Sequence, residues 1–146
     1  LCDKNDTLVM HYRSRDYYGH LNEFYRKGIK LPKSYYVKTL KQLDLSKFNQ
    51  IYCLSDDISE FKKLLSDYSD FSKIKFVENT TNIEDWVFIY LCKNIIQSNS
   101  SFCWTASLFN KKISFQPMNG YNYRDSNKDS SVPYDFKFDN SKSIPF

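Results

Sequence analysis

Residues 7–17 read TLVMHYRSRDY. Leu8-Val9-Met10 is an uninterrupted apolar run, the pattern of a strand covered on both faces. His11, Arg13, Ser14, Arg15 and Asp16 follow it at once. A strand that delivers a polar cluster at its carboxyl end is how open α/β sheets build ligand sites. Arg presents a rigid fork of donors that matches phosphate oxygens, so Arg13 and Arg15 are candidate anion clamps. The competing reading is a solvated loop held by surface ion pairs.

The same alternation recurs downstream. Pro32 opens a helix in which Tyr36, Leu40 and Leu43 share one face. Gln50-Ile51-Tyr52-Cys53-Leu54 is a second strand without polar alternation, and Ser55-Asp56-Asp57 stands at its end. Asp57 with Glu60 has the spacing of a capping box, and Ile58, Phe61, Leu64 and Leu65 give the next helix its apolar side. Residues 73–77 form a short third strand. Thr81 and Glu84 make a second capping box, before a helix whose stripe Ile83, Trp86, Val87, Tyr90 and Leu91 is expected to face the core. Residues 94–97 are a fourth strand, 101–110 a helix and 112–115 a fifth strand. Strands alternating with helices imply right-handed crossovers, hence an α/β domain with a parallel sheet of about five strands and helices on both faces.

Composition narrows the classes. The chain has 146 residues, enough for one domain with its own core, and 41% of them are apolar. Only three are Gly, which excludes a Gly-rich phosphate loop, so a bound phosphate must be held by side chains and helix N-termini. The net charge of +4 is spread along the sequence without a basic run, and nucleic acid is not an expected partner. No apolar stretch approaches the about 20 residues that span a bilayer, and no signal peptide is visible. Cys2, Cys53, Cys92 and Cys103 show neither a CxxC pair nor His partners at zinc spacing, so no metal site is expected. Three of them sit in apolar surroundings and read as small buried hydrophobes, and a reducing compartment is the expected home.

A second polar cluster, Gln97-Ser98-Asn99-Ser100-Ser101, stands where the fourth strand gives way to a helix. Free N–H groups and hydroxyls there favour an anion, while the plain alternative is that Ser100 or Ser101 is only an N-cap. Ser55-Asp56-Asp57 is the third cluster; Asp57 has the capping role, which leaves Asp56 the freer carboxylate. From about residue 119 the sequence loses its period, and 119–146 is expected to be an irregular tail behind a domain of residues 1–118, with a short edge strand as the alternative where Tyr134, Phe136 and Phe138 alternate with Asp and Lys.

In order and spacing the three clusters resemble the α-1,2-fucosyltransferases (glycosyltransferase family 11). That family shows H-x-R-R-G-D-Y after a strand, then S-D-D, then C-K-x-x-I-x-x-N-S-T-F-S-W-W-A. The corresponding residues here are His11-Tyr12-Arg13-Ser14-Arg15-Asp16-Tyr17, then Ser55-Asp56-Asp57, then the run CKNIIQSNSSFCWTA from Cys92 to Ala106. Ser14 replaces the family's second Arg, Arg15 its Gly, and Cys103 and Thr105 a Ser and a Trp.

The resemblance implies a Rossmann-like, donor-binding half of a GT-B fold that takes GDP-fucose. It implies inverting, metal-independent transfer to a glycan hydroxyl, a galactoside being the expected acceptor. Carried over by position, Arg13 meets the phosphates and His11 lies near the nucleoside. Asp56 or Asp57 reads the guanine edge, and Asn99, Ser100 and Ser101 cradle a phosphate. Arg15 is the candidate replacement for the missing second Arg. Asp16 is the candidate general base, although a salt bridge to Arg13 or Arg15 is the better-supported role for it.

A GT-B enzyme also needs an acceptor domain, which precedes this one in the family. The chain begins at Leu1, and the expectation is a donor half that transfers nothing alone. The expected location is cytoplasmic, with peripheral membrane association of the kind microbial surface-glycan synthesis uses. Two other readings compete: an inert nucleotide-binding or partner-binding module of the same fold, and a plain α/β scaffold.

Overall fold

The computed structural model describes residues 6–14, 30–69, 71–108, 113–117 and 141–144. Its strands are β1 (Thr7–Tyr12), β2 (Gln50–Ser55), β3 (Ile74–Phe76), β4 (Asn94–Ile96), β5 (Ile113–Pro117) and β6 (Ser141–Ile144). Its α-helices are α1 (Lys33–Lys41), α2 (Ile58–Leu65), α3 (Asn82–Leu91) and α4 (Ser101–Ser107). The strands form one sheet in the order β3-β2-β1-β4-β5-β6, and every pairing is parallel. This is a doubly wound, Rossmann-like α/β domain, as the alternation of elements implies.

All six residues of β1 are buried, which is why its sequence has no polar alternation. Successive side chains go to opposite faces. Leu8, Met10 and Tyr12 join Ile51, Cys53, Ile96 and Phe115 under α1 and α2, whose Tyr35, Tyr36, Leu40, Phe61 and Leu65 complete that layer. Val9, Leu54 and Ile95 join Ile89, Cys92, Cys103 and Ala106 under α3 and α4. Cys53, Cys92 and Cys103 are buried, as their apolar surroundings suggest.

Four local expectations are corrected. The strand that opens the chain does not break at His11; it continues through Tyr12 because Leu54 and Ser55 of β2 keep pairing with it. The 119–146 tail is not irregular throughout: Ser141-Lys142-Ser143-Ile144 pairs with β5 as the sixth strand. Four residues with one apolar member are too few for a period to be read.

The capping box at Asp57 is half made. Asp57 accepts the Glu60 N–H at 3.0 Å, but the Glu60 carboxylate reaches away to Ser14 and Lys30. The box at Thr81 and Glu84 closes in both directions. Finally, α3 exists but is turned. Phe88, Ile89 and Cys92 face the core, while Ile83, Val87, Tyr90 and Leu91 are exposed. The run Trp86-Val87-Phe88-Ile89-Tyr90-Leu91 is apolar all round, so period alone cannot fix its phase.

Candidate functional site

The sheet opens between β1 and β4. Their ladder runs from Leu8–Asn94 to Met10–Ile96 and stops. Beyond it β1 stays with β2 as far as Tyr12–Ser55, while the Gln97 N–H donates to the Phe115 carbonyl of β5 at 2.8 Å. The strand order reverses here, and the crevice outside the carboxyl ends is where open α/β sheets bind ligands.

Two α1 tyrosines anchor the split. The Tyr36 hydroxyl donates to the His11 carbonyl at 2.9 Å, and the Tyr35 hydroxyl to the Gln97 carbonyl at 2.8 Å. Each buried carbonyl that loses its ladder partner is thereby satisfied. Burial drives both phenols well above their ordinary pKa, so they remain donors.

His11, the last residue but one of β1, is buried. Its Nδ1 lies 2.6 Å from Ser98 Oγ, and its ring stacks on Phe102 with centroids 5.8 Å apart. Burial, and then the charge of Arg13, lower its pKa from 6.5 to about 3, so the imidazole is neutral. It joins β1 to the start of α4 across the crevice.

On the other side, the loop after β1 is fastened to β2 and α2. The Ser14 N–H donates to Asp56 Oδ1 at 2.8 Å, and Arg13 Nε lies 3.6 Å from Asp56 Oδ2. The Ser14 hydroxyl donates to Glu60 Oε2, while Glu60 Oε1 pairs with Lys30, whose ammonium lies 6.0 Å from the centre of the Tyr12 ring. Burial works to raise the Glu60 carboxyl; the bonds from Lys30 and Ser14 outweigh it and leave its pKa below the ordinary value.

Three parallel strands therefore bring His11, Arg13, Asp56, Asp57, Asn99, Ser100 and Ser101 to one edge of the sheet. Asp56 is not the freer carboxylate expected from the sequence, since it braces Arg13 and Ser14. Asp57 caps α2 and also receives the Ser59 hydroxyl at 2.7 Å. Asn99 and Ser100 are buried and Ser101 is exposed. Ser100 precedes α4 without a side-chain capping bond, its N–H donating instead to the Ser98 carbonyl at 2.9 Å. Arg15 and Asp16 lie outside the described residues.

Tyr35, Tyr36, Lys30, Glu60 and Ser98 escape a sequence reading. A tyrosine on an apolar helix face looks like core, and the partners of Glu60 are distant in the chain. Only Ser98, inside the polar cluster that follows the fourth strand, carried a local signal.

Fold and crevice together define a doubly wound α/β domain with a polar switch-point cleft. No family model, curated protein or solved structure matches the chain.

Proposed function

We propose that this chain is the donor-binding half of a GT-B glycosyltransferase of the α-1,2-fucosyltransferase type. The observation that carries the reading is the convergence of the three motif segments on one crevice, with Arg13 held at its lip by Asp56. A diphosphate laid across the switch point meets Arg13 from β1, and the amide and hydroxyls of Asn99, Ser100 and Ser101 from the β4–α4 turn. Arg13 stabilises the charge that develops on the departing diphosphate, the part a cation plays in other transferases. GDP-fucose is the proposed donor, and a galactoside hydroxyl, presented by an acceptor domain, the proposed nucleophile. Peripheral attachment to a membrane, in a cytoplasmic enzyme of microbial surface-glycan synthesis, belongs to the same proposal. Among the described residues no helix is long and apolar enough to cross one.

One observation favours a second reading, an inert nucleotide-binding or partner-binding module. Ser14, uncharged where the motif has its second Arg, is 1% exposed, and its N–H and hydroxyl both donate to carboxylates.

Calorimetric titration with GDP, GMP and UDP in the presence of a chelator tests the shared part. GDP should bind several-fold more tightly than GMP or UDP. Absence of binding by all three would reduce the chain to a scaffold. Transfer of labelled fucose by the chain joined to an acceptor domain separates the transferase from the inert module.

A further inference from the structure

We propose that the cleft between the first turns of α3 and α4 is a slot for a planar heterocycle, the base of the nucleotide whose phosphates meet Arg13. This rests on the nucleotide-sugar reading above and adds a place for the base.

The cleft is a cavity of about 310 Å³ lined by Asn82, Ile83, Trp86 and Phe102. That is at the small end of pockets for organic ligands. Its position follows from topology. Because β3 and β4 are parallel to β1, the first turns of the helices that follow them lie at the carboxyl edge, as does Arg13. Phe102 forms one wall of the cleft and stacks on His11, two residues before Arg13, with 28° between the rings.

The walls have the chemistry of a stacking platform. Ile83 is 77% exposed at a helix start, where a side chain of that kind gains nothing from water. Trp86 is fixed in advance, its Nε1–H donating to Thr105 Oγ1 at 3.3 Å and its ring stacked on Tyr90 with centroids 5.4 Å apart. A preset aromatic wall binds a flat ligand without losing side-chain freedom. Every base offers a π-face to such walls, and the Asn82 amide supplies both a donor and an acceptor for a base edge. A base held here leaves Asp56 to its bond with Ser14 and its pairing with Arg13.

The test compares GDP, guanosine and inorganic pyrophosphate by calorimetry on the parent chain and on Ile83→Ser and Trp86→Leu, with circular dichroism to show that the variants are folded. Ile83→Ser changes an exposed residue, so it keeps the test valid if Trp86→Leu unfolds. We expect both variants to weaken GDP about tenfold, a typical loss for one stacked base, and to leave pyrophosphate unchanged. Guanosine should quench the parent's tryptophan fluorescence and not that of Trp86→Leu. Parent-like GDP binding by both variants, with GDP still tighter than pyrophosphate, would place the base elsewhere and overturn the slot while the nucleotide reading stands. Binding of neither GDP nor pyrophosphate by the parent would remove both. A parent dimer that Ile83→Ser turns into a monomer, with GDP affinity unchanged, would assign the face to self-association and overturn the slot.

Discussion

Arg13 and Asp56 show how one ion pair sets up a site. On the proposed reading a guanidinium at the lip of a crevice must be aimed before an anion arrives, and Asp56, which pairs with Arg13 while holding the Ser14 N–H, is placed to aim it. Arg13→Ala should weaken GDP by roughly ten- to a hundredfold, the ~1.5–3 kcal/mol of a hydrogen bond to a charged group, and Arg13→Lys should recover only part of it. Parent-like affinity in a folded Arg13→Ala chain would end the clamp argument. Asp56→Asn discriminates between two roles for that carboxylate. As a brace for Arg13, its loss should weaken GDP and pyrophosphate by the same factor. As a reader of the guanine edge, it should weaken GDP alone. A loss confined to GDP would restore the role implied by the fucosyltransferase motif.

Helix α1 shows what an element can hide. Its apolar face was readable from Tyr36 and Leu40, but not that the phenol hydroxyls bond the carbonyls on either side of the split. Tyr36→Phe keeps the ring among Tyr12, Tyr35 and Phe61 and strands the His11 carbonyl. The expected cost is about 1–3 kcal/mol in chemical denaturation, with a loss of GDP affinity because the end of β1 is freed. A variant as stable as the parent would show that water replaces the phenol. The contrast with α3 explains what the sequence could tell. Strand types and their alternation were legible because apolar residues run consecutively through the centres of β1 and β2 and the end of β4. The three clusters were legible because polar residues pile up abruptly at strand ends. The phase of α3 was not, since six consecutive apolar residues have no preferred side. Nor was the network of Lys30, Glu60 and Ser14, which depends on segments distant in the chain meeting at one edge. Strand β6 left no trace because Ser141-Lys142-Ser143-Ile144 holds a single apolar residue.

For the molecule as a whole, two ionisable groups at the crevice edge, His11 and Glu60, respond to acid in the same direction. Folded His11 titrates at about 3 against an ordinary 6.5, first because burial penalises the imidazolium and then because Arg13 repels it. Below pH 6.5 the unfolded chain takes up a proton that the folded chain refuses until about pH 3, so stability falls with pH across that window. The slope for one such group approaches about 1.4 kcal/mol per pH unit. Glu60 has a folded pKa below its ordinary 4.5, so its contribution is present above that value and is lost as pH falls beneath it. The net charge of +4 rises further on acidification, and self-repulsion acts in the same sense. Urea unfolding of the parent should therefore lose about 2–3 kcal/mol between pH 6.5 and 4.5, before most carboxylates titrate. His11→Asn, which keeps a polar partner for Ser98 without a titrating ring, should be nearly flat over that interval and decline only below it. A parent whose stability is level from pH 6.5 to 4.5 would mean that folded His11 accepts its proton freely, and the buried link between β1 and α4 would then not be the closed contact described.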